Sequence, residues 1–354
     1  MVQKNKLPNG WQEVKFLDCL QKEASNNQLK IQQKDFLEEG KYPIIDQGEE
    51  FVAGYTNDKS KVYSGKLPVV VFGDHTRILK FVNFPFALGA DGVKILVPKN
   101  GLNEKYFYYA LRKINISSAG YSRHYKFLKA QRVIVPPLSV QKSIVAILEK
   151  AERLKQKRED ADKLTKEYLQ SVFYEMFYKK NNEVKGFLDV FDITTGKLDS
   201  NALEENGKYP FFTCSQETYR INNFAFDCEA LLLAGNNAAG IYSVKYYNGK
   251  FNAYQITYVL TLKNKGHFKY FHFVLTNKLK ELQRASIGTN TKYLTLGILK
   301  NIEIPIPHLP LQQKFASIVE KVEKLKETQK ESKTEISILF DSLMQKAFKG
   351  ELVR

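Results

Sequence analysis

Apolar residues recur mostly at steps of three and four, with longer gaps midway, through two long stretches of the chain, 138–179 and 309–349. In the first they are Val140, Ile144, Ile147, Ala151, Leu154, Ala161, Tyr168, Val172 and Met176. In the second they are Leu311, Phe315, Ile318, Val322, Leu325, Ile336, Leu339, Leu343 and Ala347. Such spacing marks the seam of a coiled coil. Both stripes turn polar midway, at Arg158 in one and at Gln329 and Ser332 in the other. Ser139 suits a helix cap and Pro310 a first turn, while Asn181–Asn182 and Gly350 suit the ends. The pattern predicts two helices of roughly 40 residues, each about 60 Å long. So narrow a stripe needs cover, which the other copy supplies best. Packing of each helix on its own globule is the competing arrangement.

Outside the helices the texture changes. Residues 1–135 and 183–306 are rich in Gly, Asn, Tyr, Phe and Val, with short β-like runs such as "LPVVVF" (67–72), "GVKILVP" (92–98), "EALLLAG" (229–235) and "QITYVLTL" (255–262). "NEKYFYYALRKI" and "HFKYFHFVLTNKLKEL" read as shorter helices, so these regions are mixed α+β globules. Four phrases recur in the same order. "EVKFLDCL" (13–20) answers to "EVKGFLDVF" (183–191), "GKYP" at 40–43 to 207–210, and "KYFYYAL" (105–111) to "KYFHFVL" (269–275). "PPLSVQKSIVAILEKAERL" (136–154) answers to "PHLPLQQKFASIVEKVEKL" (307–325). The chain is a tandem duplication with four expected parts: a globule over 1–137, a helical region over 138–180, a second globule over 181–308 and a second helical region over 309–354.

Composition narrows the function. Lys and Arg outnumber Asp and Glu by 54 to 38, a net charge of +16, which favours an anionic partner, nucleic acid or a membrane surface. Cys19, Cys214 and Cys228 form no CxxC pair, so a disulfide framework or zinc finger is not expected and a reducing cytoplasm fits. The opening "MVQKNKLPNGWQEV" lacks the apolar core of a secretory signal. No apolar run approaches the roughly 20 residues that span a bilayer.

Catalytic signatures are absent from the sequence. There is no GxxxxGK[ST] loop, no GxGxxG after a strand, no HxxxH or HExxH pair among the five His, and no Asn/Asp-Pro-Pro-aromatic tetrapeptide. "GNNAAG" (235–240) follows a strand-like run, but its spacing is not that of a cofactor loop. Two similar basic globules with a helical spacer and no catalytic or metal set describe a recognition device, not an enzyme.

The ordered set "GWQEVKFLDCL", "VIVPPLSVQKSIVAILEKAERL", "IPIPHLPLQQKFASIVEKVEKL" and "LMQKAFKGEL" resembles the DNA specificity subunit of type I restriction–modification systems. The resemblance covers essentially the whole chain. It implies an α+β architecture of two tandem mixed α/β target-recognition domains, separated by two long helices that form an antiparallel coiled coil, in a pseudo-twofold duplication. It further implies that each domain reads one half of a bipartite double-stranded DNA target. The coiled coil would set the spacer and dock two modification (methyltransferase) subunits, which restriction subunits join for cleavage. S-adenosylmethionine, ATP and Mg are then expected in those partners, with no cofactor in this chain and no membrane association. One departure is Ile134 where the second copy has Pro305, which alters the local turn.

Candidate DNA contacts form two groups in each globule. "YSRHYKFLK" (121–129) offers Arg123, His124, Tyr125, Lys126 and Lys129, with Arg123 suited to guanine edges and the lysines to phosphates. "SIGTNTKYLTL" (286–296) offers Asn290, Thr291, Lys292 and Tyr293, Asn being suited to adenine. His75 and Arg77 in "GDHTR", and Asn236 and Asn237 in "GNNAAG", form the second group. Each position is equally compatible with a solvated polar loop. Along the helices, Ile144, Ile147, Leu154, Val172, Phe315, Ile318, Leu325, Leu339 and Leu343 are assigned to the seam, and Gln141, Gln312 and Phe348 to a partner-facing side. Two alternatives stay open: a specificity subunit serving a fused nuclease–methylase partner, and a coiled-coil scaffold that binds no DNA.

Overall fold

Val69–Phe72 is buried at every position, and this continuous β-branched and aromatic run forms the middle of a sheet in the first domain. The computed structural model describes residues 7–21, 30–89, 92–117, 120, 122–178 and 183–353. The chain divides into two compact units, one of residues 1–159 with 331–354, the other of 160–330. The boundary falls within both long helices. Among the described residues no helix is long and apolar enough to cross a membrane.

The first unit carries β1 (Gln12–Lys15), β2 (Tyr42–Ile45), β3 (Gly54–Thr56), β4 (Val69–Gly73), β5 (Leu79–Val82), β6 (Ala87–Leu88) and β7 (Val93–Leu96). Helices α1 (Glu104–Lys113) and α2 (Tyr125–Lys129) follow, then β8 (Arg132–Val135) and the long helix α3 (Leu138–Phe173). Three small sheets result, ordered β1-β8, β3-β2-β6 and β5-β4-β7. The second unit carries β9 (Glu183–Gly186), α4 (Phe187–Val190), β10 (Phe191–Thr195), β11 (Tyr209–Phe212), β12 (Tyr219–Ile221), β13 (Phe226–Ala234), β14 (Asn236–Asn237), β15 (Val244–Ala253) and β16 (Thr257–Leu262). It continues with α5 (Phe268–Ala285), β17 (Lys292–Tyr293), α6 (Leu296–Leu299), β18 (Glu303–Ile306) and the second long helix α7 (Leu309–Lys349). Here the central strands merge into one six-stranded sheet, β10-β16-β13-β15-β11-β12.

The duplication persists strand by strand. β2 pairs parallel with β6 as β11 pairs parallel with β15, and each is flanked by an antiparallel hairpin partner. Val71 lies between Lys80 and Ile95, as Leu232 lies between Lys245 and Val259. The repeated "KYF" phrase has one job in both units. The Tyr106 hydroxyl donates to the Ile134 carbonyl at 2.8 Å, and that of Tyr270 to the Pro305 carbonyl at 2.9 Å. Lys105 pairs with Glu152 of α3, and Lys269 with Glu320 and Glu323 of α7.

Gln141 and Gln312 were expected on a partner-facing side, and both are buried at the start of a long helix. The Gln141 Oε1 accepts from the Asn103 N–H at 2.8 Å, while its Nε2 donates to the carbonyls of Pro136 (2.8 Å) and Gly101 (3.2 Å). Gln312 repeats the latch, accepting from the His267 N–H at 3.0 Å and donating to the Pro307 carbonyl at 2.8 Å. Asn103 and His267 are the N-cap residues of α1 and α5, so each latch ties a long helix to its globule. Phe348 is also buried, 5.5 Å from the Tyr106 ring.

Within the first unit, Ile144, Leu148 and Ala151 of α3 share a core with Phe340, Met344, Ala347 and Phe348 of α7. Within the second, Leu169 and Phe173 of α3 share a core with Phe315, Val319 and Val322 of α7. The start of one helix thus packs on the end of the other in each unit, an antiparallel pairing. The same cores include α1 or α5, so helix–helix and helix–globule packing coexist. The buried stripe differs from the expected one by a single position at several points. Leu148, Leu169, Val319 and Phe340 are buried, Ile147 and Ile318 are half-buried, and Leu154, Tyr168, Leu325 and Leu339 are about half exposed. An α-helix drifts by about 20° per heptad, which rotates one apolar series out of contact. Polar residues keep the seam instead: the buried Gln329 donates to the Thr165 hydroxyl at 2.9 Å. A π-helical turn, Tyr174–Tyr178, prolongs α3 and leaves both Phe173 and Phe177 against Phe315. Ser139 sits inside the first turn of α3, which starts at Leu138, so it is not the cap. Gly350, at φ +75°, follows the last residue of α7, whereas Asn181–Asn182 lie outside the described residues.

Candidate nucleic-acid interface

In the first unit β4 ends at Gly73 in a tight turn, closed by Arg77 N–H to Gly73 carbonyl and Gly73 N–H to Ile78 carbonyl bonds, both 2.8 Å. Arg77 occupies the left-handed region at φ +65°, the one described non-glycine residue to do so. Its guanidinium is exposed and donates to the Ile116 carbonyl at 2.9 Å. The buried Asp74 joins this turn to the segment starting α2. Its carbonyl accepts from the His124 N–H at 2.7 Å and lies 3.0 Å from the His124 ring, and its carboxylate accepts from the Tyr125 N–H at 2.7 Å. The two candidate groups of this domain, His75 with Arg77 and Arg123 through Lys129, are thereby brought together.

Their exposures separate roles. Arg123, Lys126 and Lys129 are exposed and His75 is half-buried. Lys126 lies over the Phe127 ring at 4.9 Å, and Lys129 over the half-buried Tyr125 ring at 5.7 Å. His124 is 1 % exposed, so its ring holds the turn and presents nothing to solvent.

The second unit joins its candidate groups through main chain. Asn236 pairs with Tyr293 and Asn237 with Lys292, as the β14–β17 ladder. The Asn237 side chain is taken up by its own loop, accepting from the N–H groups of Ala239 (2.9 Å) and Ile241 (3.1 Å). Lys292 Nζ donates to the Gly288 carbonyl at 2.6 Å; Asn290 and Tyr293 are exposed, and Thr291 is half-buried. Asn236 lines an open cavity of about 380 Å³ with Thr213, Cys214, Ser215, Tyr219 and Tyr254.

The first edge therefore presents exposed cationic groups beside aromatic rings on a buried Asp74–His124 joint, and the second an exposed amide and phenol beside a half-buried lysine, groups suited to phosphates and base edges. Among the described residues no group of three or more His, Cys, Asp or Glu is placed to hold a metal. Sequence reasoning missed Asp74 as the joint between the two groups. It also missed the loop after β2, whose Gln47 accepts from the His75 N–H at 3.1 Å and from the Thr76 hydroxyl at 2.6 Å. The glycines Gly73 and Gly92 allow that approach: a Cβ on either would come within 2.8 Å of Gln47. The available signal was position, since this loop follows the repeated "GKYP" after two further residues, as does the loop after β11.

The family pattern described as the type I restriction modification DNA specificity domain matches residues 8–163 and again 179–337. The chain is 40 % identical over 138 residues to the type I restriction enzyme EcoDI specificity subunit of Escherichia coli, a stretch covering 39 % of this chain and 29 % of that relative. It is 22 % identical over 334 residues to the EcoR124I/EcoR124II specificity subunit of the same organism, covering 83 % of this chain and 82 % of that one. Among solved structures, the S subunit of a type I system from M. genitalium superposes with a TM-score of 0.61 at 15 % identity, over 98 % of this chain and 99 % of that chain. A chain from work on complex assembly and conformational transition of the type I R-M system gives 0.58 at 16 % identity, over 98 % and 100 %.

Proposed function

Because the chain belongs to the family of type I restriction–modification DNA specificity subunits, we propose that each of its two domains reads one half of a bipartite, asymmetric double-stranded DNA target. The observation that carries this reading is the common build of the two edges. In each, a turn after the central strand is tied to a segment 50 or more residues later that holds exposed Lys, Arg, Asn or Tyr. The residues on the two edges differ, so the half-sites differ. Arg123, Arg77, Lys126 and Lys129 serve one half; Asn236, Asn290, Thr291, Lys292 and Tyr293 serve the other. His75, His124, Tyr125 and Asn237 shape the loops.

The long helices set the gap between the half-sites and dock two modification subunits. Leu154 and Leu325 occupy equivalent positions of the duplicated helix entries, both about half exposed, and offer the same apolar foothold twice. Methyl transfer and cleavage then lie with partner subunits that bring S-adenosylmethionine, ATP and Mg, and the complex works in the cytoplasm. Deleting a heptad within 144–172 and its counterpart in the second helix, followed by methylome sequencing of a host carrying the complete system, tests the reading. The expected result is a shortened gap with both half-sites unchanged; an unchanged gap refutes the spacer role.

A further inference from the structure

Each domain draws one lysine at least partly out of solvent on the strand beside its central strand, at the same place in the register: Lys80 opposite Val71 and Lys245 opposite Leu232. Lys80 is 2 % exposed, and Lys245 is half-buried beside the Phe212 ring at 5.9 Å. Both ammonium groups reach into the loop that follows β2 or β11. Lys80 Nζ donates to the Glu50 carbonyl at 2.5 Å and lies 3.4 Å from the Asp46 carboxylate. Lys245 Nζ donates to the carbonyls of Glu217 at 2.5 Å and Ser215 at 2.9 Å. The parallel pairings Ile45–Leu88 and Phe212–Ala253 align the two loops, which makes Glu50 and Glu217 the same residue of the duplication. The loops even begin alike: the Gly48 N–H donates to the Asp46 carboxylate at 2.8 Å, and the Ser215 N–H to the Thr213 hydroxyl at 3.2 Å.

Burying an ammonium group is costly unless its donors are satisfied. Burial pulls both lysines below their usual range, with the Asp46 charge opposing this at Lys80 and Cys214 and Glu217 opposing it at Lys245. A duplicated cost of this kind, aimed at the same carbonyl, points to a duplicated task. The loops concerned adjoin the two candidate edges. Gln47 bonds His75 and Thr76 in the first domain; in the second, Thr213, Cys214 and Ser215 line the cavity with Asn236, and Gln216 donates to the Ile241 carbonyl at 3.5 Å.

We infer that Lys80 and Lys245 are positioning residues for DNA recognition, each holding the loop 46–50 or 213–217 as a third element of its domain's reading edge. The inference rests on the reading of the domains as DNA readers. The Lys80 charge also offsets Asp46 beside an edge that must accept phosphates, which an uncompensated carboxylate would repel. Neither ammonium group touches DNA.

The test uses the complete complex with its modification subunits, carrying Lys80→Met or Lys245→Met, with base preference scored by methylome sequencing and affinity by salt titration. Lys80→Met is expected to lower methylation tenfold or more, or relax base preference, at the half-site read by the first domain, leaving the other half intact. Lys245→Met is expected to do the reverse. The salt slope stays at its wild-type value in both, whereas losing a phosphate contact lowers it by about one. Thermal unfolding and complex assembly identify a variant that fails to fold, and Gln47→Ala and Gln216→Ala then probe the same loops from outside the core, with the same half-site expectations. Folded variants with wild-type preference at both halves overturn the positioning role. A wild-type complex that methylates no two-part target overturns the underlying reading instead, so the two failures are told apart.

Discussion

Replacing Gln141 by leucine removes an amide that serves three main-chain groups at once: the Asn103 N–H and the carbonyls of Pro136 and Gly101. Leucine fits the volume but pairs with none of them, and a side chain that is 1 % exposed brings no water with it to the Asn103 N–H or the Pro136 carbonyl. Each orphaned buried group costs about 1–3 kcal/mol. Because Gly101 is exposed and its bond is long at 3.2 Å, its carbonyl counts for little, and the lower bound of about 1 kcal/mol per group gives about 2–3 kcal/mol in all. For a unit of this size that is a fall in melting temperature of about 4–12 °C. Gln312→Leu strands only the His267 N–H and the Pro307 carbonyl, and should cost about 2 kcal/mol. Calorimetry on the two variants gives the ranking, and hydrogen exchange locates it, since the amides of Asn103 and His267 should each lose protection only in its own variant. Gln141→Glu separates the two halves of the latch: it keeps the acceptor for Asn103 and loses the donor, so the unit is destabilised while that amide stays protected. A Gln141→Leu protein that melts within 2 °C of wild type, or whose Asn103 amide exchanges at the wild-type rate, would falsify the latch.

Three further outcomes are expected. Burial, with the Asp18 charge in support, pushes the Cys19 thiol up to about 11 from its usual 9.0. The unfolded chain releases this proton first, so stability should fall as pH rises from about 9 to about 11; chemical denaturation across that range should show the slope in wild type and lose it in Cys19→Ala. Arg77→Gly relieves the left-handed backbone at φ +65° and should leave folding stability equal or higher, by up to about 1–2 kcal/mol, while lowering the salt slope of DNA binding by about one; a destabilised variant with unchanged DNA binding contradicts this. Leu154→Asp and Leu325→Asp replace half-exposed side chains, so each should fold normally yet bind one modification subunit in place of two, as read by native mass spectrometry; two bound subunits in both variants would remove these positions from the docking surface.

The parts of the fold legible in the sequence are those written twice or written periodically. Four phrases in register exposed the duplication, and steps of three and four residues exposed both long helices. The choice of seam was less legible. Leu154 is as apolar as Leu148, and only the three-dimensional demand to meet a globule and a second helix together decides which is covered. Gln141 and Gln312 look like polar surface residues because a sequence does not reveal orphan main-chain groups nearby. The candidate edges were half legible. Basic and amide-rich loops stand out locally, but Asp74, Gln47 and Lys80 act through contacts 28 to 51 residues away, which no local pattern records.

The joint at Asp74 has an evolutionary corollary. A turn whose carbonyl and carboxylate are both committed to His124 and Tyr125, and whose neighbours are committed to Gln47, cannot be rewritten one residue at a time without loosening the rest. New specificities are therefore reached more readily by recombination of an entire half than by drift within a loop. The recurring helix entries, each with its own glutamine latch, supply similar ends at which such an exchange joins without disturbing what lies on either side.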